Sequence, residues 1–395
     1  MTAARVDVEG VSVPTGHLIG GRRVGGDAGF EVRSPIDWER KLAELPEAGE
    51  AEVDAAVDAA RGAFPDWAAL GPEGRAPYLL RLAAGVERRA AEIAQVETVD
   101  NGSLLEAMRE RVIPRGGMNF RFFAEYAVSR LAESPRTLHG GERNTVRHDP
   151  AGVVAVSTPW NAPFMLATWR VGPALAAGNT VVLKPPEWAP LTCSLLGDLA
   201  DEAGLPPGVL NIVHGGPETG AMLTGHAGVD RIAFTGSPAT ARTVGAAAAA
   251  ELTPVSFELG GKGSGGLYYP PTLFADVPAG ADILREEVFG PVLTLQTFED
   301  DEEAIALSES TDYGLAAMIF TGDESRAGRL SRRISAGTIW VNCFYVRDLE
   351  TPFGGTKHSG IGREGGRHSF DFYCDVKTVC ERTAAFAATG TGGGS

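Results

Sequence analysis

Four cysteines in 395 residues (Cys193, Cys343, Cys374 and Cys380) are too few and too irregularly spaced for a disulfide framework or a zinc site, and a reducing cytoplasm is their natural home. Basic residues are in the minority. The chain has 35 Lys and Arg against 51 Asp and Glu, a net charge of −16, with no Lys/Arg-rich stripe to offset it. Such a surface repels phosphate backbones and acidic membranes, which argues against nucleic-acid binding as a main activity. Long apolar runs are also missing. No stretch approaches the ~20 residues that span a bilayer, and the N-terminus lacks the regions of a secretory signal, so the sequence reads as cytoplasmic. No repeat of solenoid period occurs. What is there is 44% hydrophobic and 22% charged, a globular composition with length for two or three domains at ~150 residues each.

From Ala51 to about Leu131, apolar residues recur at three- and four-residue spacing, as in Val53-Ala56-Val57-Ala60 and Leu79-Leu82-Val86-Ile93, which predicts long packed helices. From Gly152 short apolar runs alternate with helical windows. Strands are expected at Val153–Val156, Thr180–Leu183, Val209–Val213, Arg231–Phe234 and Val255–Glu258. Helices are expected near Phe164–Leu175, Leu191–Ala203, Glu218–Leu223 and Ala239–Ala249. Five apolar strands alternating with four helices predict an α/β fold with a parallel sheet covered on both faces, binding ligands at the carboxyl ends of its strands. Pro270 and Pro271 bar a helix after Lys262. A shorter α/β series follows: strands at Val292–Phe298, Ala316–Phe320 and Thr338–Asn342, and helices near Asp301–Glu309 and Ser325–Ile334. Residues 390–395 are low complexity and read as a flexible tail.

Several short patches invite a chemical reading. Gly261–Gly266 fits a G-x-G-x-x-G pattern, but no helix can follow to present its amides to a phosphate, so the match is accidental. Phe234-Thr235-Gly236-Ser237-Pro238 has better physics: a strand end, a turn glycine, a capping serine and a proline suited to a first helical turn. It is either a plain capped turn or a phosphate-binding helix start. Lys184-Pro185-Pro186-Glu187 follows a strand and offers the donor and acceptor that ribose hydroxyls need, or is a solvated ion pair. Asn161, in Pro159–Phe164, either donates its side-chain amide to a developing oxyanion or caps a helix. Glu258 ends a strand beside apolar surface, a setting that raises a carboxyl pKa as a general base requires; the rival is a structural carboxylate accepting loop amides.

Together these patches resemble the aldehyde dehydrogenase superfamily. The resemblance rests on Pro159–Phe164, Lys184–Glu187, Phe234–Ser237, Phe257–Lys262, Glu286–Pro291 and Pro352–Gly360, in order over roughly residues 15–383. It implies a Rossmann-like NAD-binding domain, an α/β catalytic domain and a β oligomerisation arm. Asn161 would be the oxyanion donor and Glu258 the general base. Trp160, Lys184, Glu187, Gly236, Ser237, Glu287 and Phe289 would contact NAD, with Glu187 disfavouring a 2′-phosphate. Arg347–Phe353, Ile361–Gly366, Ile113–Arg115 and Asn119–Phe123 look most like the branch acting on muconic and carboxymethyl-hydroxymuconic semialdehydes of aromatic catabolism. There Arg115 and Arg347, with Phe353, would hold the substrate and its remote carboxylate; otherwise the arginines are surface ion pairs, with Asp348 or Glu350 in the case of Arg347.

One departure matters most. In the family the nucleophilic cysteine lies in a long segment between the Glu-Leu-Gly-Gly-Lys block and the Tyr-Tyr-x-x-Pro-Thr block, and here only Gly263–Gly266 separates Lys262 from Leu267–Thr272. A domain-sized stretch of about 100 residues is expected to be missing. None of the four cysteines sits in a matching motif: Cys193 reads as core, Cys374 and Cys380 as arm, and Cys343 as the one conceivable substitute. The expected layout is an NAD-binding domain over 1–136 and 152–262, an arm over 137–151 and 365–389, and a catalytic remnant over 267–364 with uncovered apolar surface. Three functions follow from this: an enzyme with a substitute nucleophile, an inactive NAD-binding protein assembling as a homo-oligomer, or a truncated or engineered scaffold.

Overall fold

The computed structural model describes residues 4–26, 28–131, 135–138, 142–260 and 269–382. The Gly261–Gly266 segment, Lys262, Leu267 and the 390–395 tail lie outside them. The five expected strands form the middle of an eight-stranded sheet. Its order is Gly360–Ile361, Val255–Leu259, Arg231–Gly236, Val153–Ser157, Thr180–Lys184, Leu210–Ile212, His17–Ile19 and Arg22–Val24. The middle five run parallel, and the outer three add antiparallel edges that the sequence patterns did not reveal.

Each parallel strand is apolar on both faces because helices cover both. Val154 and Val156 enter one core cluster, Val153 and Ala155 the other, following the two-residue alternation of a strand. The larger cluster is packed by Gly71–Asn101, Ile113–Arg130, Pro163–Ala177 and Leu191–Glu202; the smaller takes side chains from Glu50–Ala69 and Pro238–Glu251. The predicted helical stretch 51–131 is divided at Gly71 and again at Gly102, whose φ of 79° ends a helix in the left-handed conformation. A π-helical turn at Met108–Val112 follows.

The first strand of the parallel set has the second on one side and the fourth on the other. The chain therefore reverses its direction of sheet growth between Val153–Ser157 and Arg231–Gly236. The loops leaving these two strands turn apart and open a crevice at their carboxyl ends, where open α/β sheets bind ligands.

Beyond residue 269 the chain forms two isolated parallel pairs, Thr272–Ala275 with Val292–Leu295 and Ala316–Ile319 with Thr338–Val341. Helices Asp301–Glu309 and Glu324–Arg333 accompany them. Leu273, Leu293 and Phe320 there are 59, 66 and 70% exposed. Glu142–Pro150 pairs antiparallel with Cys374–Arg382 over nine residues, forming with Arg136–Thr137 a separate three-stranded sheet.

Candidate active site

A cleft of about 1330 Å³ opens at the strand switch point. Ten of the twelve residues singled out from sequence line it: Trp160, Asn161, Lys184, Glu187, Gly236, Ser237, Glu258, Glu287, Phe289 and Phe353. Arg115 and Arg347 lie outside the lining. The carboxyl ends of the parallel strands bring together residues from Trp160 to Glu258, and Glu287, Phe289 and Phe353 reach the cleft from later loops.

Lys184 ends the Thr180–Lys184 strand with only 6% of its surface exposed, and its Nζ lies 3.3 Å from Glu187 Oε2. This corrects the reading of a solvated pair: burial lowers the lysine pKa, and Glu187 partly opposes that shift. Ser237 is the N-cap of Pro238–Glu251, its Oγ accepting the Thr240 amide at 3.2 Å, with Pro238 in the first turn as its fixed φ favours. The capped turn is real, and it faces the cleft with a fourteen-residue helix behind it. A Cβ on Gly236 would meet the Phe234 ring at 2.7 Å, so any larger residue there must displace that buried ring.

Asn161 does not cap its helix. The N-cap position is Ala162, and Asn161 is exposed, its carbonyl accepting Asn101 Nδ2 at 3.3 Å. Beside it, Trp160 packs edge-on against Phe289 with ring centroids 5.4 Å apart. Glu287 closes over Gly260, where a Cβ would lie 3.0 Å from its Oε1.

Glu258 reaches the cleft from the Val255–Leu259 strand, and among the described residues its Oε2 accepts no hydrogen bond. Its neighbour is a residue that the sequence patterns missed. Arg170, 1% exposed, lies 3.7 Å from Glu258 Oε2, donates to Thr235 Oγ1 at 3.0 Å and Ser256 Oγ at 3.2 Å, and pairs with Glu364. Trp169 Nε1 also donates to Glu364. Within a mostly apolar helix window, nothing but the unusual presence of a cation pointed to Arg170.

Arg347 makes no ion pair with Asp348 or Glu350 among the described residues, which removes the surface-pair alternative. It stacks on Phe353, 3.7 Å from the ring centroid, and on Trp169 at 5.3 Å. Burial, then the nearby Arg115 charge, pull its pKa down to about 10, while Arg115 itself is lowered by burial. The two arginines are thus close enough for their charges to oppose one another, with the Glu258 charge partly offsetting this at Arg347.

All four cysteines are unpaired and none lines the cleft. Cys193 is wholly buried, and burial pushes its thiol well above the usual range; Cys374 is pushed up to about 12 by the same cause. Cys380 is exposed on the Cys374–Arg382 strand, and Cys343 is half-buried beside Phe344.

The fold and cleft define a dinucleotide-type α/β protein with a doubly wound parallel sheet. The model of the aldehyde dehydrogenase family matches residues 24–265 and 262–379, and the chain belongs to that family. It is 36% identical to a 2-hydroxymuconic semialdehyde dehydrogenase of Pseudomonas sp. (strain CF600) over 92% of this chain and 98% of that one. It is 33% identical to a 2-aminomuconic semialdehyde dehydrogenase of Danio rerio over 85 and 91%. Among solved structures, HpcC of Thermus thermophilus superposes with a TM-score of 0.89 at 32% identity, over 96% of this chain and 98% of that one. The AldA indole-3-acetaldehyde dehydrogenase of P. syringae, in complex with NAD+ and IAA, gives 0.90 at 29% identity over 94 and 97%. Among the described residues no helix is long and apolar enough to cross a membrane.

Proposed function

We propose that this chain is an NAD-binding aldehyde dehydrogenase homologue whose family reaction is oxidation of a muconic-type semialdehyde to the acid, and that it lacks the thiol to perform it. The cleft fits the dinucleotide by its donor set. Buried Lys184 with Glu187 presents a donor and an acceptor to a ribose diol, and the N-terminus of the Ser237-capped helix suits a pyrophosphate. Trp160 and Phe289 offer apolar faces, and Glu287 an acceptor, at the other end. When bound, NAD supplies the hydride acceptor; Asn161 would donate to a substrate oxygen, and Glu258 would take a proton from water. Arg347 and Arg115 suit a substrate carboxylate, as two cations held without an acid partner among the described residues.

The observation that carries the inactive reading is the absence of any cysteine from the cleft lining. Thiolate attack opens the family's reaction, and without it no adduct forms from which hydride can leave. The alignment with the Pseudomonas relative supports this reading. It runs over 479 positions, of which 92% of a 395-residue chain fills about 363, so about 116 positions of the relative face a gap. Among the described residues the nine-residue strand Cys374–Arg382 has an open edge on which a second copy can pair, supporting a homo-oligomer, and four free thiols suit a cytoplasm.

Calorimetric titration with NAD, followed by addition of 2-hydroxymuconic semialdehyde while reduced nicotinamide is followed by absorbance, tests the proposal. Binding without turnover is expected. Turnover would overturn the missing-thiol reading and direct attention to Cys343→Ala; absence of binding would overturn the nucleotide site.

A further inference from the structure

The C-terminal end of the Gly71–Asn101 helix carries two carboxylates sealed from solvent, Glu97 at 0% and Asp100 at 1% exposure. Three residues apart, they share one helix face, yet they reach the starts of two different helices. Glu97 Oε1 accepts the Phe164 amide at 3.3 Å, and its Oε2 accepts the Thr192 hydroxyl. Asp100 Oδ2 accepts the Leu191 amide at 2.8 Å. Both amides lie in the first turn of their helices, where no intrahelical carbonyl is available. The next residue, Asn101, donates to the Asn161 carbonyl, and Cys193 Sγ donates to the Pro163 carbonyl at 3.7 Å.

The segments feeding those two helices are the walls of the cleft. One carries Trp160 and Asn161; the other carries Glu187 and Trp188. Neither wall has a side-chain cap of its own, because the N-cap residues are Ala162 and Pro190.

We infer that Glu97, Asp100 and Asn101 are positioning residues for the cleft, one helix end clamping both walls and so setting the separation of Trp160 and Asn161 from Glu187. The inference rests on the cleft being the nucleotide site. The groups facing the two carboxylates are the Phe164 and Leu191 amides, Thr192, Cys193 and each other; among the described residues no cation pairs with either. Burial raises both, Glu97 to about 7 and Asp100 well above the usual range, the latter raised further by the Glu97 charge. Among the described residues Asp100 Oδ1 has no hydrogen-bond partner. A negative charge entering this dry space as Glu97 ionises near pH 7 works against the clamp.

The test is hydrogen exchange of the segments 158–166 and 187–193, measured with NAD affinity from pH 6 to 8.5. The proteins are the parent, Glu97→Gln, Asp100→Asn and the exposed control Glu92→Gln. In the parent, exchange at both segments is expected to rise above the intrinsic base-catalysed trend, by roughly tenfold for loss of one buried hydrogen bond, while NAD affinity falls several-fold. Glu97→Gln keeps an acceptor without the titration, and both profiles should flatten; Glu92→Gln should follow the parent. Exchange profiles of Glu97→Gln and Asp100→Asn superposing on the parent at every pH would overturn the clamp, as would altered exchange with unaltered NAD affinity. A parent that binds no NAD fails the nucleotide reading instead, and the exchange profiles alone then decide whether the walls are clamped.

Discussion

Replacing Arg170 with Met tests whether the buried cation beneath the cleft is a coupled network or a set of separate contacts. The guanidinium is 1% exposed, pairs with Glu364, which is 7% exposed, and lies 3.7 Å from Glu258. Methionine fills much of the volume but leaves Glu364 without its counter-ion and withdraws donors from Thr235 and Ser256. Removing one partner of a buried pair costs about 3–5 kcal/mol, most of it the uncompensated charge left behind. Glu364→Gln alone keeps an acceptor for Trp169 but strands the guanidinium beside Glu258, at a similar cost. The double variant Arg170→Met/Glu364→Gln strands neither, so its loss should be smaller than the sum of the single losses by about 2–3 kcal/mol. Urea unfolding of the four proteins at one pH supplies the cycle, with equal m-values as the check that the folded states are comparable. Additive losses, within about 0.5 kcal/mol, would refute the coupling.

Three further outcomes are expected. His17 is wholly buried and burial lowers its pKa to about 4. Between pH 6.5 and 4 the unfolded chain binds a proton that folded His17 refuses, so acidification through that window should remove up to about 3 kcal/mol of stability through this residue; His17→Asn, which keeps an acceptor for the His214 amide, should reduce the dependence of the urea midpoint, the remainder coming from His214, whose pKa burial also lowers. Arg75 donates to the carbonyls of Ala68, Ala176 and Ala177, the closing turns of two helices, and Arg75→Met should cost about 2–4 kcal/mol by thermal or urea unfolding, with no change in NAD affinity. Ser237→Ala removes the cap of Pro238–Glu251 and should cost about 1 kcal/mol, with weaker NAD binding by calorimetry; full affinity would separate that helix start from the ligand.

The parallel sheet was legible because a strand buried on both faces must be apolar throughout. Thr180–Leu183 and Val153–Val156 could be little else, and the helices between them carry their own periodicity. Likewise, the turn chemistry of Ser237-Pro238 announced a capped helix before any geometry was known. The small strands at the sheet edges were not legible, because His17–Ile19, Arg22–Val24 and Gly360–Ile361 are two or three residues long and owe their pairing to neighbours far away in sequence.

Within the site, the sequence by itself determined which residue types stand at the strand ends, and hence the family and the chemistry available to a bound dinucleotide. Only the tertiary structure decided their state. Burial of Lys184 depends on the helices packed around its strand, and the company Glu258 keeps depends on Arg170, which arrives from a helix 88 positions earlier. The same holds for Glu97 and Asp100, unremarkable acids on a long helix until two other helices start against them. Local propensity is written in neighbouring residues; desolvation and charge pairing are properties of whatever the fold brings within a few ångströms, and no window along the chain contains them.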